Sequence, residues 1–151
     1  MRAVGLGFAA LFALFSEHAH AAACGFNSVS PIAFGTYNVF SATPTDGVGS
    51  FTYQCSLLQA LDSIVINLST GSSGSYGART MKLGANSLNY NLYTDAARMT
   101  VWGDKTNGTS NYGPVILTIF PTTVQVYGRI PALQNAKAGD YQDTVVITLL
   151  F

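Results

Sequence analysis

The chain has 151 residues, seven Lys+Arg against seven Asp+Glu, no net charge, and only 9% charged residues. That length suits one domain with one core, and the charge balance removes any electrostatic reason to expect nucleic acid or an anionic membrane surface as a partner. With 48% apolar residues and 12% aromatics, the composition also excludes a chain disordered for want of hydrophobic content.

The first segment reads as an export address. Arg2 is followed by an apolar run from Ala3 to Phe15, broken by Ser16, Glu17 and His18. The run is too short to span a bilayer. Small residues at cleavage spacing follow, Ala19-His20-Ala21 or Ala21-Ala22-Ala23, completing the pattern of a secretory signal over residues 1–21 or 1–23. The mature domain is then 24–151, with no segment apolar enough to cross a membrane. Both histidines and the only glutamate leave with the signal. Cys24 and Cys55 remain, and in an oxidising compartment an even pair reads as a disulfide. Closing that loop is worth roughly 3 to 4 kcal/mol in the chain-entropy model. Because Cys24 follows three alanines, a lipid-modified cysteine is the alternative, against which stands the small residue at position 21.

Along the mature chain the dominant period is two, which predicts an all-β protein. Phe51, Tyr53 and Cys55 alternate with Thr52 and Gln54, placing the second cysteine on one face with two aromatics. Ile64, Ile66 and Leu68 form a second such set, and Leu88, Tyr90 and Leu92 a third. Val115 to Phe120 is a continuous apolar run, read as a further strand. Val124 and Val126 follow, and Tyr141 to Phe151 is the longest strand candidate. Turn chemistry separates these runs: Pro44 to Gly47, Gly71 to Gly77, Asn107-Gly108, Gly113-Pro114 and Ala138 to Asp140. Seven or eight short strands with regular turns make a β-sandwich or barrel.

Tyr141, Val145, Ile147, Leu149 and Phe151 lie on one face of the last segment. A strand this apolar is unsafe at an open edge, because unpaired backbone beside apolar side chains recruits other chains. It therefore pairs with an internal neighbour or receives a strand from a partner.

Catalytic readings find little support. Serine-type catalysis lacks its usual base once the histidines are gone. A histidine-free secreted glycosidase would need two of Asp46, Asp62, Asp95, Asp104, Asp140 and Asp143 as a pair, yet nearly all fall at predicted turns. Metal ligands are scattered, and Asp104 to Gly108 lacks the further carboxylates of a calcium loop. No cofactor is expected. Gly71, Gly74 and Gly77 are spaced like a phosphate cradle but are followed by no Gly-Lys-Ser/Thr, so they read as a flexible connector. Tyr76, Trp102 and Tyr112 flank polar loops and are the candidates for surface contact in an adhesin-like binding module.

An ordered set of short pieces spans nearly the whole mature chain: Cys24, Ile32 to Tyr37, Gly49 to Ser56, Arg79 to Met81, Leu88 to Asp95, Val101 to Asp104, Val126 to Pro131, and Gly139 to Thr144 running on to Phe151. In this the chain resembles the spore coat protein U domain family, the secreted subunit type also found in archaic chaperone-usher pili. The resemblance implies a non-enzymatic structural subunit of a surface pilus or coat, with an incomplete immunoglobulin-like sandwich open beside the C-terminal strand. It further implies a periplasmic chaperone and an outer-membrane usher as partners, and other subunits joined by strand addition. On that reading the protein passes through the periplasm to the cell surface or an extracellular fibre. Polymerising members carry a donor segment before the first cysteine, and here Cys24 sits at the predicted mature N-terminus, which points to a fibre tip or to a coat component outside a fibre.

Overall fold

The computed structural model describes residues 22–56 and 61–151. The export signal therefore lies outside the described residues except for Ala22 and Ala23, the second of which opens the first strand.

Eight strands are described: β1 (Ala23–Ser30), β2 (Thr45–Ser56), β3 (Ser63–Leu68), β4 (Arg79–Leu83), β5 (Asn86–Tyr93), β6 (Tyr112–Ile116), β7 (Thr122–Ile130) and β8 (Ile147–Leu150). The only helical element among the described residues is one 3-10 turn at Gly71–Ser73. A five-stranded sheet runs β1-β2-β7-β5-β4 and a three-stranded sheet runs β6-β3-β8, with all pairings between strands antiparallel.

Period-two alternation decides which side chains the sheets enclose. Phe51, Tyr53 and Cys55 from β2, Leu88, Tyr90 and Leu92 from β5, and Val124, Val126 and Ile130 from β7 turn inward from the larger sheet. Ile64, Ile66 and Leu68 of β3 meet them from the smaller one. Side chains of this size are each worth about 1.5–3 kcal/mol when fully buried, so the facing apolar rows hold the two layers together. Cys24 and Cys55 stand directly opposite in the β1–β2 register, with Cα atoms 4.1 Å apart, and are joined as a disulfide.

Two strand expectations need correction. In the apolar run from Val115 to Phe120 the strand ends at Ile116, and only Leu117 is buried, while Ile116, Ile119 and Phe120 are exposed. β6 pairs with β3 alone, so one edge of it has no sheet to enter, and Pro121 lacks the N–H needed to continue a ladder. In the segment from Tyr141 to Phe151 only Ile147–Leu150 forms a named strand. Propensity and alternation favour an extended backbone there, but a ladder also needs a neighbour.

Candidate functional site

Two stretches of chain border an apolar groove. After β1, residues 31–38 belong to no strand, and Ile32, Phe34 and Tyr37 of this stretch are half-buried. Pro31 removes one backbone donor at the point where the chain leaves the β1–β2 ladder. Ile32 and Phe34 then settle onto a lane of glycines. A Cβ on Gly49 would lie 2.7 Å from Ile32 Cγ1, and one on Gly128 would lie 2.6 Å from Phe34 Cζ. Gly47 and Gly128, cross-strand partners on β2 and β7, thus leave the space these two side chains occupy.

Residues 141–146 form the opposite wall. Tyr141, Asp143 and Val145 are half-buried, whereas Gln142, Thr144 and Val146 are exposed. This stretch is tied at a few points: Gln142 exchanges backbone hydrogen bonds with Lys82 of β4 at 2.7 and 3.1 Å, the Ser69 N–H donates to the Val146 carbonyl, and the Val146 N–H donates to Ser69 Oγ. β8 continues from it and pairs with β3 only, Leu149 opposite Ile66.

Between the walls lies a groove of about 430 Å³, floored by Phe51, Leu68, Leu92 and Val126 and bordered by Ile32, Phe34, Tyr141, Val145 and Ile147. It adjoins a wider depression of about 990 Å³ that shares Ile32, Phe34, Met81 and Tyr141 and runs on past Tyr37, Leu88, Ile130 and Ala136. Of the residues expected along the C-terminal edge, Tyr141, Val145 and Ile147 line the groove, Leu149 packs half-buried against the core, and Phe151 is 55% exposed.

The expected surface aromatics are corrected. Tyr76 and Trp102 are buried, and Tyr112 is half-buried, stacked on the indole with ring centroids 5.9 Å apart. The polar atoms of two of them have partners inside: Trp102 Nε1 donates to the Ile66 carbonyl at 2.9 Å and the Tyr76 hydroxyl to the Leu68 carbonyl at 3.1 Å. Amphipathic rings next to polar loops suit either a surface or a core with acceptors at its rim, and here the carbonyls of β3 supply the acceptors.

Two charged side chains stand close by. Arg79, fully buried, donates through Nε and one terminal nitrogen to the Ser69 carbonyl, and also to the Trp102 carbonyl and Asn91 Oδ1, while its guanidinium lies 5.2 Å from the Tyr76 ring centroid. Burial lowers its pKa. Asp143, inside the expected Tyr141 to Phe151 strand segment, faces inward between Tyr141 and Val145. Its Oδ2 accepts the Tyr90 hydroxyl at 2.6 Å, and burial together with this carboxylate pushes the Tyr90 phenol far up. Alternation along β4 and along 141–146 was the available signal for both, since it puts Arg79 with Met81 and Asp143 with Val145.

Other carboxylates serve as local acceptors. Asp46 lies in β2 rather than at a turn and is held by Arg129 at 2.7 and 2.9 Å. Asp95 accepts the Met99 and Thr100 N–H groups, and Asp104 accepts from Thr106. Among the described residues no three His, Cys, Asp or Glu side chains gather as a metal site. The groove thus has an apolar floor between two stretches of chain that belong to no named strand.

The spore coat protein U domain model matches residues 10–148. Protein U of Myxococcus xanthus is similar at 40% identity over 131 residues, covering 78% of this chain and 70% of that protein. The fold is similar to a chain in the crystal structure of the CsuC-CsuE chaperone-tip adhesion subunit pre-assembly complex from the archaic chaperone-usher Csu pili of Acinetobacter baumannii, with a TM-score of 0.58 and 23% identity. That likeness covers 87% of this chain and 40% of the other.

Proposed function

Because the chain belongs to the spore coat protein U domain family, we propose that it is a structural subunit of an exported pilus or coat, whose C-terminal groove takes up a β-strand from another molecule. One observation carries this reading. Residues 31–38 and the wall formed by 141–146 and β8 border an apolar groove, and β8 has β3 as its single ladder partner. A strand laid between them would satisfy backbone groups on both sides and place every second side chain on Phe51, Leu68, Leu92 and Val126. The Csu structure is of a chaperone-subunit complex, which supports a chaperone as the first molecule to fill the groove here and another subunit as the second. An usher would then pass the subunit to the cell surface. Among the described residues no helix is long and apolar enough to cross a membrane.

Expression of the mature chain tests this. Produced alone in the periplasm it should aggregate or be degraded, and co-produced with its chaperone it should elute as a soluble one-to-one complex. A monomer that is soluble alone and melts reversibly at high temperature would contradict the proposal.

A further inference from the structure

A receiving edge has to keep its shape before anything is bound to it, and residues 141–146 have few backbone ties. Beyond those, the side chain of Asp143 hydrogen-bonds this wall to two further parts of the molecule. Its Oδ2 accepts the Tyr90 hydroxyl of β5 at 2.6 Å, and its Oδ1 accepts the N–H groups of Ser72 and Thr144, each at 2.9 Å. The 3-10 turn is shaped around the carboxylate: Gly71 has φ +65°, and a Cβ there would overlap Asp143 Oδ2. The turn is in turn fixed to β4, because Ser72 Oγ donates to the Thr80 carbonyl at 2.8 Å. Tyr90 also reaches the opposite wall, its ring meeting Phe34 edge-on with centroids 6.0 Å apart. Asp143, Tyr90 and Phe34 therefore form a tie running across the groove floor from one wall to the other.

We propose that Asp143 is a positioning residue that holds the groove wall 141–146 extended and ready for an incoming strand, through Tyr90 on one carboxylate oxygen and the Gly71-Ser72 turn on the other. Its consequence for strand capture rests on the function proposed above, whereas its effect on the wall does not. A mere stability residue would loosen the whole sandwich on removal. A positioning residue loosens the wall first.

The test uses the mature chain refolded in dilute solution, away from periplasmic proteases and below the concentration at which it aggregates, with Asp143→Ala, Asp143→Asn and Tyr90→Phe. Amide hydrogen exchange is followed at Gln142 and Val146, whose own hydrogen bonds do not involve the carboxylate, and at Val124 and Val126 in β7 as the reference. Hydrogen bonds to a charged group are strong enough that Asp143→Ala should speed exchange at Gln142 and Val146 roughly tenfold or more, with β7 changed less than about twofold. Asp143→Asn, which keeps an acceptor for Ser72 and Thr144, should fall between. Capture of a labelled twelve-residue peptide of alternating valine and threonine should slow in the same order. Unchanged exchange at Gln142 and Val146, or a rise shared equally by β7, would overturn the proposal. If Asp143→Ala does not fold, Tyr90→Phe decides the matter, since it keeps the ring against Phe34 and removes only the hydroxyl. If the wild-type chain ignores the peptide, the strand-accepting reading is weakened while the exchange comparison still judges Asp143.

Discussion

Asp46 shows how this nearly uncharged chain uses the few charges it has. Arg129 binds it through two nitrogens, and Arg98 approaches to 3.3 Å. The hydrogen bonding from Arg129 is the main reason its pKa lies below the ordinary carboxylate value. A carboxylate whose folded pKa is lowered stabilises the fold above its unfolded value and loses that contribution as the pH falls through the folded one. Stability from Asp46 should therefore be complete at neutral pH and disappear below about pH 4. Its side chain is 35% exposed, so the contribution should be under about 1 kcal/mol and weaken with salt. Urea unfolding of Asp46→Asn and wild type from pH 7 to pH 3 checks this, the two curves converging at the acid end. Which charges would be solvated and which enclosed was only partly legible in the sequence. Alternation gives the face of Arg79 and Asp143, but charged residues are so seldom buried that the pattern alone argued for turns and solvent. What reverses the inference is the set of acceptors and hydroxyls that the folded chain brings to them, and those come from β5, Trp102 and the loop at Ser69.

At the scale of the strands, the glycines on β2 and β7 set how deeply residues 31–38 can lie. Gly49→Ala would place a methyl group 2.7 Å from Ile32 and 2.8 Å from the Ser30 carbonyl oxygen, and the latter is backbone that cannot rotate away. Overpacking of this kind costs about 1–3 kcal/mol. The expected result is a lower midpoint in urea and a more exposed Phe34, read as faster proteolysis in 31–38, whereas an unchanged midpoint would mean the stretch does not rest on that lane. The inward rows of β2, β3, β5 and β7 were readable from period two, because each is buried on one face by a partner within the chain. The ends of strands were not. Val115 to Phe120 and Tyr141 to Phe151 have the composition of strands, but composition reports a preference for extended backbone and is silent on whether a neighbour exists to complete the ladder.

Across the whole molecule, the larger sheet closes over the smaller one at β3, with the β8 side left beside the groove. The order of strands could not be read from local patterns, since β2 pairs with β7 and β5 with β7 across long stretches of sequence. What the C-terminal segment did disclose was the problem it poses, an apolar strand at an edge, and in the structure the edge is still open beside an apolar floor. The most direct test joins a short turn and a strand of alternating apolar residues after Phe151 in the mature chain and compares thermal unfolding with and without the addition, both chains refolded in solution dilute enough to avoid aggregation. Several newly buried side chains at about 1.5–3 kcal/mol each should raise the midpoint by roughly ten degrees or more and protect the added strand from protease. An unchanged midpoint, with the addition cleaved as readily as a free tail, would contradict a groove built to receive a strand.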